Sequence, residues 1–141
     1  MIEMAGRKVL IAAIAVCVAV WSAAVVGAWT AGPASRSVND GVYTEPQAAR
    51  GAKVFDTNCT ACHDTGRFTG EDFLSAWTGK PLTELFEAVQ TMPEDNPGSL
   101  KAQEYGDVVA FFLQLNKYPA GSDELKGDAE AMAGIAMAAH P

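Results

Sequence analysis

Cys59-Thr60-Ala61-Cys62-His63 constrains this 141-residue chain more than any other stretch of it. C-x-x-C-H is the attachment signature of a covalently bound haem of the c type. Two thiols three positions apart on a turn of helix add across the two vinyl groups on one edge of a porphyrin. The histidine directly after the second thiol then swings beneath the ring, and its imidazole ligates the iron. The spacing has other uses. A thioredoxin-like redox pair calls for a preceding strand in a βαβ setting, whereas the flanks here read as helical. A zinc site calls for a second ligand pair, and outside the motif the chain offers only His140 near its end and Cys17 in an apolar leader. A disulfide between Cys59 and Cys62 is the remaining alternative.

Arg7 and Lys8 precede an uncharged Ala/Val/Ile-rich run from Val9 to Ala28. A basic start followed by an apolar run is the pattern of an export signal, and Val26-Gly27-Ala28 supplies small residues for cleavage. The run is also just long enough to cross a bilayer, and Trp21 and Trp29 suit its interfaces. Residues 1–28 therefore read as a signal peptide or a membrane anchor. Both place the rest of the chain outside the cytoplasm, in the periplasm, where covalent haem attachment is expected. From residue 29 onward 8 basic residues face 16 acidic ones, a net of −8. Nucleic acid is excluded as a partner, because binding it needs a basic face. The acidic surface suits either plain solubility or a basic docking face on a redox partner.

Beyond the leader, residues 29–42 are unpatterned and read as a linker. Thr44-Glu45-Pro46-Gln47 predicts a helix start, with Thr44 as cap, Pro46 in the first turn and Gln47 completing a capping box. Gly51, Phe55 and Cys59 then mark one helix face at four-residue spacing. A short segment carries Leu74 and Trp77. Pro81 opens another with Leu82, Leu85, Phe86 and Val89 as its stripe, and Met92-Pro93 ends it. After the Asn96-Pro97-Gly98-Ser99 turn, Val108, Phe111, Phe112 and Leu115 form a strong apolar face that Tyr118-Pro119-Ala120-Gly121 stops. A weaker Ala/Met segment follows. No stretch alternates with period two, so the fold class is all-α. The organisation reads as 1–28 leader, 29–42 linker, 43–120 haem domain and 121–141 C-terminal helical extension.

Val42-Tyr43-Thr44-Glu45, Ala49-Arg50-Gly51, the C-x-x-C-H motif, Met92-Pro93, Asn96-Pro97-Gly98-Ser99-Leu100, Tyr105 through Phe112, and Tyr118-Pro119-Ala120-Gly121 together carry a resemblance. The chain from Val38 onward resembles the class I cytochrome c family, in particular small bacterial monohaem cytochromes. The resemblance implies a cytochrome c fold, a small helical domain wrapped around one haem c held through Cys59 and Cys62. It implies that the entry helix crosses the later one at Gly51, with Phe55 and Phe111 filling the crossing. His63 becomes the proximal ligand and Met92 the distal one. Met132 and Met137 lack a following proline, and Met4 precedes the leader run. Trp77 is the candidate donor to a haem propionate, and Arg67 and Lys80 are candidates to pair with one. The 29 positions from His63 to Met92 are fewer than the resemblance leads one to expect. They lack the Gly-Pro stretch that in relatives supplies a carbonyl to the proximal imidazole. Lys101 stands where a hydroxyl cap is usual, which leaves Ser99 as the expected cap of the helix carrying Phe111.

The implied function is an extracytoplasmic one-electron carrier, not an enzyme. Its partners would be a periplasmic dehydrogenase, such as a quinoprotein, and a terminal oxidase or another cytochrome. Two alternatives stand beside it. One is a haem enzyme or gas or redox sensor with a labile sixth ligand. The other is a haem subunit of a larger membrane redox complex, held through residues 9–28.

Overall fold

The computed structural model describes residues 36–139; the leader with Cys17, residues 29–35 and His140 lie outside the described residues. Thr44 starts the first helix, α1 (Glu45–Asn58), with extended backbone and a hydroxyl that accepts from the Gln47 N–H at 3.3 Å. Pro46 lies in the first turn, where its missing N–H costs nothing. The expected capping box is only half formed, because the Gln47 side chain is occupied elsewhere. It is fully buried; its amide donates to Asp107 at 3.0 Å and to the Leu125 carbonyl at 2.7 Å, and accepts from the Leu125 N–H at 2.8 Å.

Three helices follow: α2 (Gly70–Trp77), α3 (Leu82–Gln90) and α4 (Ala102–Leu115). The crossing of α1 and α4 is the main packing event, and Gly51 permits it. A Cβ at Gly51 would stand 1.8 Å from the Asp107 carbonyl oxygen. Phe55 fills the crossing, with ring centroids 5.7 Å from Phe111 and 5.8 Å from Phe112, within the favourable range for tilted aromatic pairs. Beside it, Asp107 accepts from Gln47, Gln103 and both Nε and an Nη of Arg50, and Arg50 also pairs with Glu124. The helix α4 is capped two residues later than expected. Lys101, not Ser99, is the cap residue, and the Glu104 carboxylate accepts its N–H at 2.8 Å. A carboxylate three residues inside the helix serves where a hydroxyl cap is absent.

The packed domain reaches beyond 43–120 on both sides. Two-residue strands β1 (Arg36–Ser37) and β2 (Ile135–Ala136) pair in parallel, too short for any period-two signal in the sequence. Val38 and Val42, read as linker, are buried. The C-terminal stretch holds one short helix, α5 (Ala129–Ala133), capped by Asp128, and it buries Leu125, Met132, Ile135 and Met137 in the core. Met137 exchanges backbone bonds with the turn between α2 and α3, through Gly79 N–H and Lys80 C=O at 2.8 and 2.9 Å. Tyr43 donates to the Tyr118 carbonyl and Tyr118 to the Ala138 carbonyl, each at 2.7 Å. Among the described residues no helix is long and apolar enough to cross a membrane.

Candidate functional site

The last turn of α1 delivers the pentapeptide. Cys59 closes the helix with its N–H on the Phe55 carbonyl at 2.8 Å, and the Cys59 carbonyl then accepts from both Cys62 and His63, at 3.1 and 2.9 Å. One tight turn therefore carries both thiols and the imidazole. Neither thiol is bridged; Cys59 is half-buried and Cys62 exposed. Burial pushes the Cys59 thiol above its ordinary pKa.

Phe68 follows on a 3-10 turn (Thr65–Phe68) and holds the next wall. Its ring lies parallel to Phe112 at 4.4 Å between centroids, and meets Phe55 and His63 edge-on at 5.4 and 5.5 Å. Asn116, the C-cap of α4, fixes this segment by donating to the Phe68 and Phe112 carbonyls and accepting from the Gly70 N–H. Phe68 reads from the sequence as haem packing and core; its contact with His63 and its brace at Asn116, 48 positions along the chain, emerge only in the fold.

Met92 approaches from the other end of the sequence interval. It follows α3, its N–H on the Val89 carbonyl at 3.0 Å, and its own carbonyl accepts the Tyr105 hydroxyl at 2.7 Å. Cys59, His63 and Met92 line one cavity of about 440 Å³ with Phe55, Phe68, Phe73, Trp77, Leu85, Val89 and Phe112. The same three residues also line a second cavity of about 670 Å³, bounded by Cys62, Asn58, Pro93, Glu94 and Asp95. One space is apolar and aromatic; the other carries the exposed thiol and two acidic side chains. Met132 and Met137 are both fully buried and line neither cavity. Trp77, half-buried at the end of α2, borders the apolar cavity, and the Lys80 ammonium sits 4.9 Å from its ring centroid. Arg67 reaches the same cavity, whereas Lys80 pairs with Glu84 at 3.8 Å.

The donor set fits a covalent haem: two unbridged thiols on one turn, an adjoining imidazole, a thioether bordering the same space, and aromatic walls. Zinc would need four donors, and among the described residues no group of three or more His, Cys, Asp or Glu side chains gathers to hold a metal. Residues 46–112 match the family model described as cytochrome c oxidase, cbb3-type, subunit III. This match supports a class I c-type cytochrome family. No curated protein and no solved structure matches the chain. The matched domain indicates a c-type haem electron-transfer protein and implies covalently bound haem c. The match runs from within α1 to within α4, and every residue that lines either cavity falls inside it.

Proposed function

We propose that this cytochrome is an extracytoplasmic one-electron carrier, with a single haem joined to Cys59 and Cys62 and ligated by His63 and Met92. The observation that carries the reading is the common cavity of Cys59, His63 and Met92, assembled from two segments that the sequence keeps apart. The haem, when bound, supplies a ferric/ferrous couple. The chain's own residues do the rest. Phe55, Phe68, Phe73, Leu85 and Phe112 keep water from the apolar side, which shapes the potential through burial. A thioether at the sixth position favours the reduced state relative to a second imidazole and leaves no open site for peroxide or gases. Trp77 and Arg67 border the cavity as donors for propionates. The basic start and apolar run of residues 7–28 support export, followed by release or retention at the membrane.

The matched family takes its description from an oxidase subunit, which favours a terminal oxidase as the acceptor class. A dehydrogenase donor rests on the sequence resemblance alone. The same match favours a second reading, in which this domain is a haem subunit of a membrane oxidase complex; co-purification with large membrane subunits would select it over the free carrier.

Absorption spectra of the matured protein test the ligand set. The ferric wild type is expected to show a thioether-to-iron charge-transfer band that Met92→Ala abolishes, and the ferrous wild type to take up carbon monoxide slowly and incompletely. A band that survives the substitution, or fast stoichiometric carbon monoxide binding by the wild type, would bring forward the enzyme or sensor reading.

A further inference from the structure

We propose that Tyr105 is the positioning residue for Met92, its hydroxyl clasping the two ends of the Met92 loop onto α4. The inference rests on the reading of Met92 as axial ligand and adds the device that keeps it in place. The Tyr105 hydroxyl donates to the Met92 carbonyl at 2.7 Å and accepts from the Leu100 N–H at 3.3 Å. These two groups bracket the loop, and residues Glu94 to Ser99 between them are all exposed. The loop therefore has little burial of its own to hold it. Its other ties are backbone bonds, Asn96 N–H to the Pro93 carbonyl at 3.0 Å, Gly98 N–H to the Gln90 carbonyl at 3.1 Å and Ser99 N–H to the Asn96 carbonyl at 3.3 Å.

Tyr105, by contrast, is 2 % exposed and sits in the first turns of α4, the helix pinned against α1 at Gly51. Its hydroxyl spends one donor and one acceptor on the loop. It thus links the close α1–α4 crossing to the methionine that must stay at the cavity. An axial thioether is a weak ligand that an added imidazole can displace, so the fraction of molecules with Met92 released sets the apparent affinity for imidazole. Tyr105 acts on that fraction.

Tyr105→Phe keeps the ring and removes both bonds, so ferric protein should bind imidazole about tenfold more tightly than wild type, the scale expected for one or two lost hydrogen bonds. Tyr43→Phe is the control. It deletes an equally buried hydroxyl that donates at 2.7 Å to the Tyr118 carbonyl, and it should leave imidazole affinity within about twofold of wild type, since distant sites act independently. Equal increases in both variants would mean general loosening and would overturn the proposal, as would no increase in Tyr105→Phe. Should Tyr105→Phe fail to mature, amide exchange in the wild type replaces it. Saturating imidazole should speed exchange at Leu100 and leave Val109 in α4 unchanged, and an unaltered Leu100 rate overturns the clasp. The Met92→Ala spectrum separates the two failures: a charge-transfer band that survives there sinks the ligand reading itself, whereas a lost band with unchanged imidazole affinity in Tyr105→Phe sinks only the clasp.

Discussion

At the scale of single residues, the His63 ring packs edge-on against that of Phe68, 5.5 Å between centroids. The interval after His63 lacks the Gly-Pro stretch that serves relatives, and what the structure places beside the imidazole is Phe68, edge-on to it and stacked on Phe112. Ligand orientation is normally set by the shell behind the ligand, and an aromatic wedge limits ring rotation by contact. Phe68→Ala should therefore do two things. It should cost about 2 kcal/mol of stability, below the usual 3–5 for a fully buried phenylalanine because this one is half-buried. It should also lower the reduction potential, because water gains access to the apolar side of the cavity. Denaturant midpoints and potentiometry on the same sample check both. The pentapeptide was legible because covalent attachment demands two thiols and a histidine at fixed spacing. Phe68 was legible as haem packing and core, but its contact with His63 and the bonds of Tyr105 were not, since which atoms a ring meets is settled by the tertiary fold.

Among elements, the α1–α4 crossing was legible through the family resemblance, which implied the close approach at Gly51 and its filling by Phe55 and Phe111. Its tolerance is correspondingly narrow. Alanine at position 51 gains up to about 1 kcal/mol in helix propensity, but its Cβ would overlap the Asp107 carbonyl carbon and oxygen, at 2.4 and 1.8 Å. Overpacking against backbone costs roughly 3 kcal/mol or more when neither partner can yield, so the clash wins. Gly51→Ala should lower the denaturant midpoint strongly or prevent maturation, while a change at the exposed neighbour Ala49 should do neither. Caps were less legible. Thr44 stands where the sequence put it, but Gln47 is drawn into a buried network with Asp107 and Leu125, and α4 begins at a lysine because Glu104 satisfies its first N–H. Local pattern yields to whichever partner burial makes available.

For the whole molecule, closure depends on two phenols. Tyr43 and Tyr118 link the start of α1 to the C-terminal stretch, and burial raises the pKa of both, with the Glu45 charge adding to the rise at Tyr43. In the unfolded chain a phenol loses its proton near pH 10, before the folded one does. The folded state then binds more protons, so the stability these groups contribute is complete below about pH 10 and falls as pH rises through that value toward the folded pKa. Unfolding midpoints measured from about pH 8 to 11 should decline, and the decline should be shallower in Tyr43→Phe. The sequence marked a weak C-terminal helical extension, but not that the flanking segments join the core, because their signals are faint: two-residue strands, a helix of one turn and a few buried aliphatics separated by glycine and alanine. They are nevertheless part of the same core.

Arg36 donates its N–H to the Gly134 carbonyl at 3.0 Å, and Asn39 donates its side-chain amide to the Ala139 carbonyl at 3.1 Å. The described polypeptide thus departs from the same spot at which it arrives. A unit with adjoining entry and exit behaves like a bead clipped to a string at one point: it can be carried by a longer chain, or set within a loop of another protein, with little need to stretch or rearrange its interior. An electron-carrying centre packaged in this way is portable, and its internal wiring is indifferent to what it is attached to.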